Sequence, residues 1–110
     1  MAETIVMKRG DVGDIRVLAD RYIKETGAEF VSEETSCGGR AVLLCFEKYY
    51  YRVGSYVSLT IMLSQETDST RAVIVGFGGG AGLLNISLGA NESLAEDARS
   101  FFSQNGFETV

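Results

Sequence analysis

Histidine, proline and tryptophan are absent from this chain. Without imidazole it has no side chain that ordinarily titrates near neutrality. That removes His acid–base chemistry, His metal ligation and every Ser–His or Cys–His nucleophile pair. Without proline there is no cis-prolyl site. Basic residues are few as well: ten Lys and Arg stand against fifteen Asp and Glu, a formal charge of -5. They are scattered, so no cationic track exists for a phosphate backbone, and nucleic acid is not an expected partner. Long apolar runs are missing. Residues 72–84, the longest weakly polar stretch, are about a third glycine and too short to span a bilayer. The opening MAETIVMKRG turns acidic and then basic with no apolar run of signal-peptide length behind it. A soluble cytoplasmic protein without a membrane partner is expected.

Cysteine is scarce too, with only Cys37 and Cys45. Along an extended strand their eight-residue separation corresponds to about 26 Å, against a bridging limit near 7 Å. Two free thiols are therefore expected, Cys37 exposed beside a turn and Cys45 filling the core. Two thiols make no zinc site without further ligands, which here would have to be carboxylates.

What is present is ordinary globular composition: 110 residues, 45% hydrophobic and 23% charged. That suits a single domain over residues 1–110 with one core. Residues 3–8 read as a strand stopped at Gly10. Asp11, with Asp14 three residues on, offers a helix N-cap, and Val12, Ile15, Leu18, Ala19, Tyr22 and Ile23 recur at helical spacing over an arc of about 140°. Gly27 reads as the helix's C-terminal cap. From residue 28 the period becomes two. Residues 28–36 form a polar strand suited to a sheet edge, where Glu29, Glu33 and Glu34 meet water. Gly38 and Gly39 read as a two-residue type I′ turn. Residues 40–51 follow as an interior strand rich in tyrosine. In 56–65 the alternation sends Val57, Leu59, Ile61 and Leu63 inward and Tyr56, Ser58, Thr60, Met62 and Ser64 outward. A strand over 71–77, another from Leu84 to Leu88, and a helix opening at Asn91 complete the chain. Leu94, Ala95, Ala98, Phe101 and Phe102 form that helix's inner stripe, Gly106 caps it, and 107–110 add a short strand or fray. The order β-α-β-β-β-β-β-α predicts an α+β two-layer sandwich: a mostly antiparallel sheet of five to six strands with both helices on one face.

The segment GFGGGAG, residues 76–82, fits G-x-G-x-x-G/A after a strand. A dinucleotide site needs a helix opening straight from those glycines, whereas LLNISLG follows with period two. The segment therefore reads as a glycine-lined reversal between strands; a backbone-amide nest in which Gly78, Gly79, Gly80 and Gly82 hold a small anion is the other reading. In this region Gly78-Gly79-Gly80-Ala81-Gly82, then Leu84-Asn85-Ile86 and Gly89-Ala90-Asn91-Glu92, resemble a small bacterial family known only as a domain of unknown function. The resemblance is carried by the C-terminal third and implies no activity, ligand or catalytic residue.

Tyr49, Tyr50, Tyr51 and Tyr56 place four of the five tyrosines in one hairpin. Tyrosines suit strands in any case. Alternation nevertheless stands at least one of them on the sheet face away from the core, where amphipathic rings make an interface. Glu33-Glu34 and Glu96-Asp97 read as solvated charge, the second pair at the positive end of a helix dipole. Glu66 and Asp68 lack the glycine and distal glutamate of a calcium loop. No cofactor or metal and no catalytic residue is expected. The sequence favours a non-enzymatic interaction or structural module that self-associates as a homodimer. The alternative is a small-molecule binder with an apolar pocket between sheet and C-terminal helix, lined by Phe101 and Phe102. A small enzyme holding an anion on the glycine segment comes last.

Overall fold

The computed structural model describes residues 2–11, 13–50, 54–78 and 94–110. Among these, six strands form one antiparallel sheet: β1 (Ala2–Arg9), β2 (Glu29–Ser36), β3 (Ala41–Tyr50), β4 (Ser55–Gln65), β5 (Thr70–Gly78) and β6 (Glu108–Thr109). Helix α1 (Ile15–Glu25) follows β1 and helix α2 (Leu94–Gln104) follows β5. The sheet order is β2-β3-β4-β5-β1-β6. β2 to β5 form the expected meander, and β1 closes it at the far side by pairing with β5. This is the α+β two-layer arrangement the periodicities predict. The expected strand over 84–88 and the Asn91 cap lie outside the described residues; the terminal segment does form a strand, paired to β1 through Met7 and Lys8.

Both helices lie on one face. α1 lies against β3 and β4, and α2 against β4, β5 and β1. The layer between them is built by simple alternation. Val42, Leu44, Phe46 and Tyr50 of β3, Val57, Leu59, Ile61 and Leu63 of β4, and Ala72 and Ile74 of β5 point inward and are buried. Ile15, Leu18, Ala19 and Tyr22 of α1 and Leu94, Ala95, Ala98, Phe101 and Phe102 of α2 meet them. The expected helix stripes are thus the observed ones, except that Ile23 is only half-buried and Val12 is not among the described residues.

Four local expectations are corrected. The N-cap of α1 is Asp14, whose side chain accepts from the Arg16 N–H at 3.0 Å. Asp11 instead lies in the preceding segment, where the buried Thr70 hydroxyl donates to its carbonyl at 2.8 Å. α1 ends at an extended Thr26, so Gly27 adopts no left-handed cap. The β2–β3 connection runs through four residues, not two. Cys37, Gly38 and Gly39 all take positive φ, and the Arg40 N–H closes the loop on the Cys37 carbonyl at 3.3 Å. Cys45, finally, is half-buried on the face away from the helices, because Leu44 and Phe46 take the inward positions beside it. Both thiols are free, with Cys37 exposed. Gly106 does cap α2 as expected, at φ 91°, with the Phe107 N–H returning to the Phe102 carbonyl at 3.0 Å.

Candidate functional site

Residues directly opposite one another in a sheet share a face, so the register lists the outer surface row by row. One row carries Tyr49 and Tyr56. The next runs Glu29, Glu47, Ser58, Phe77, and the third Ser32, Cys45, Thr60, Val75, Thr4. The fourth runs Glu34, Leu43, Met62, Val73, Val6, and the last Ser36, Ala41, Ser64, Arg71, Lys8. Neither described helix touches this face. Tyr56 and Phe77 are 56% and 55% exposed, Leu43 and Met62 40% each, and Tyr49 38%. Val6, Val73, Val75 and Cys45 are half-buried between them. The two tyrosine rings meet edge to face at 5.0 Å, which fixes one end of the surface as a rigid aromatic pair. An antiparallel sheet with one solvated face ordinarily alternates apolar inside with polar outside; β3 and β5 do not.

The tyrosine hairpin therefore divides. Tyr49 and Tyr56 stand together on the open face, whereas Tyr50 turns to the core beneath the Lys48 ammonium, 5.3 Å from its ring. Tyr51 lies outside the described residues. Of the glycine cluster, Gly78 ends β5 opposite Val57 and is buried, while Gly79, Gly80 and Gly82 also lie outside the described residues. Sequence reasoning missed Leu43, Val73, Val75 and Phe77. Their signal is the phase of alternation within β3 and β5, which puts Leu43 on the same side as Tyr49 and Phe77 on the same side as Val73.

Elsewhere the described surface has shallow clefts. One of about 470 Å³ lies between the ends of β1 and β6 and is lined by Lys8, Arg9, Asp68, Ser69 and Glu108 among others. Its charges are mixed, and Arg9 is already engaged: its guanidinium pairs with Asp11 at 2.6 Å, donates to the Asn105 carbonyl at 3.3 Å and covers the Phe107 ring. A second cleft, about 230 Å³, opens between the end of α1 and α2 and is lined by Tyr22, Thr26, Asp97 and Phe101. Burial pushes the Tyr22 hydroxyl above the ordinary phenol range, and the Thr26 hydroxyl donates to it at 3.3 Å. No group of three or more Cys, Asp or Glu side chains able to hold a metal occurs among the described residues. None of the described helices is long and apolar enough to cross a membrane.

These features define a two-layer α+β domain with one sheet face under helices and the other apolar and uncovered by any described element. The chain belongs to the family of unknown function DUF6054, whose model matches residues 1–106. The match thus spans nearly the whole chain and is not confined to the C-terminal third. No curated protein and no solved structure matches it.

Proposed function

We propose that this protein is a non-enzymatic interaction module that self-associates as a homodimer through its open sheet face. The observation that carries this is the set of apolar side chains Leu43, Tyr49, Tyr56, Met62, Val73, Val75 and Phe77 gathered on a face no described helix covers. A small domain rarely leaves such a patch to water, and patches of this kind, rimmed by polar residues, mark association sites. Aromatic and methionine side chains are the residue types enriched where protein surfaces meet. A second copy is the occupant that the face itself fits, as the arrangement of its charges below makes specific. The two unpaired thiols, one of them exposed, suit a reducing cytoplasm.

A pocket between the sheet and the C-terminal helix has less support. Phe46, Phe102 and Phe107 are fully buried there, and the cleft beside them holds about 230 Å³, below the ~300–1,000 Å³ usual for ligand sites.

Sedimentation equilibrium or light scattering across a dilution series tests the reading. The expected result is a dimer at about 100 μM that dissociates on dilution, and a shift toward monomer in Tyr56→Ser/Phe77→Ser with far-UV circular dichroism unchanged. A wild-type chain that stays monomeric throughout overturns it; saturable uptake of an apolar dye by that monomer would move the site to a small ligand.

A further inference from the structure

The rim of the open face carries charge in an order that the self-association reading does not by itself require. Glu29 and Glu47 are directly opposite each other on β2 and β3. Lys8 and Arg71 are directly opposite on β1 and β5. Like charges facing across an antiparallel ladder destabilise it. Neither pair is relieved by an ion pair among the described residues, although Glu108, opposite Lys8 on β6, and Asp68 of the β4–β5 loop line the same cleft as Lys8. The two pairs also sit at diagonally opposite corners. Six residues of strand, about 20 Å, and three strand spacings, about 14 Å, separate them. Between them lie Thr60, Cys45, Val75, Leu43, Met62, Val73 and small serines, with Glu34 at the β2 margin beside Leu43.

This diagonal selects one way of closing a symmetric dimer. A face-to-face pair of identical chains is related by a two-fold axis lying in the interface. An axis along the strands, or one across them, carries each charged corner onto a corner without charge of either pair. An axis along the charged diagonal lays Glu on Glu and Lys on Arg. The axis perpendicular to that diagonal exchanges the corners, acid onto base twice over. It passes over β4 between Thr60 and Met62 and crosses the strands of the two sheets at roughly 70–90°, the steep class of sheet packing.

We infer, resting on the self-association proposed above, that two copies pack through the open sheet face about a two-fold axis near Thr60 and Met62, Glu29 and Glu47 of each facing Lys8 and Arg71 of the other. The cross-strand repulsion carried by the isolated chain is then answered by the second copy, and the charges set orientation while the apolar centre supplies affinity.

Two double variants, Lys8→Glu/Arg71→Glu and Glu29→Lys/Glu47→Lys, test this by sedimentation alone and after equimolar mixing. Each alone brings like charges together at both contacts and is expected to raise the dimer dissociation constant at least about tenfold. Mixed, they place opposite charges at both contacts and are expected to restore dimers as one-to-one heterodimers. Circular dichroism confirms folding, and the single variants Arg71→Glu and Glu47→Lys give a weaker form of the same readout should a double variant unfold. A monomeric wild type sinks the self-association reading itself. Variants that dimerise like wild type, or that weaken without recovering on mixing, overturn this pairing while leaving self-association in place.

Discussion

Tyr22 is the residue on which the helical layer turns. It projects from α1 into a ring of aromatics, meeting Phe46 at 5.2 Å and Phe101 at 5.0 Å edge to face and stacking on Phe102 at 6.0 Å. One side chain thus ties α1 to β3 and to α2, joining segments nearly the full chain apart. Its hydroxyl reaches the margin of that layer, where the Thr26 hydroxyl donates to it. Burial, and to a lesser extent the nearby Asp97 carboxylate, oppose its ionisation and hold its pKa above the ordinary 10.0. The folded phenol keeps its proton to higher pH than the unfolded one. The stability linked to it is therefore whole below pH 10 and is lost as pH rises through the folded value. Tyr22→Phe removes this dependence. Urea midpoints measured from about pH 8 to 11 are expected to fall less steeply for the variant than for wild type, with the two close together at the neutral end, where only one weak hydroxyl bond separates them. An equal alkaline decline in both proteins would place the linkage on another group.

At the scale of elements, what could be read from the residues depended on whether the information was local. The alternation of β4 is complete in itself, and Val57, Leu59, Ile61 and Leu63 all face the core as it requires. The stripes of α1 and α2 were equally legible. Caps were not, because several residues near a terminus can do the same chemistry. Asp11 and Asp14 are both good N-caps; the choice falls to Asp14 because Thr70, 59 residues beyond Asp11, fixes the backbone there. Likewise Gly27 and Gly106 both follow helices, yet only Gly106 takes positive φ. At Thr26 the side-chain oxygen accepts from the Ala28 N–H at 3.1 Å and the chain leaves extended. Gly106→Ala is accordingly expected to lower stability by about 1–2 kcal/mol, from left-handed strain and a Cβ 3.3 Å from Arg9 Cδ. Gly27→Ala, with nothing nearer than the Lys48 ammonium at 4.0 Å, is expected to be neutral or slightly stabilising. Urea denaturation of the two variants measures both, and an equal loss would mean the caps are equivalent after all. The candidate surface follows the same rule. Tyr56 and Met62 were visible in the alternation of β4, but the grouping of Leu43, Val75 and Phe77 with them needs the register. So do the two charged corners, which no local pattern contains.

For the whole molecule, the sheet has two unequal ends. On one side the two-residue β6 pairs only with Met7 and Lys8 of β1, while on the other β2 runs a full eight residues along the margin. Nearly all of β2 is exposed, its register slips between Phe30 and Ser32, and it carries Glu29, Glu33 and Glu34. Irregularity and like charge are what natural sheets place on a free margin. The consequence concerns growth: a long strand with no described neighbour on its outer side is a built-in route to open-ended polymers, and here the carboxylates guard it, so that in the proposed dimer association through the face stops at two. Neutralising the two that lie outside the proposed charge contact, in Glu33→Gln/Glu34→Gln, should leave the melting temperature nearly unchanged yet let concentrated protein form thioflavin-binding filaments on prolonged incubation, where wild type stays clear. A variant that stays equally clear would mean that the slip at Phe30, which twists the strand away from any straight neighbour, is sufficient by itself to end the sheet.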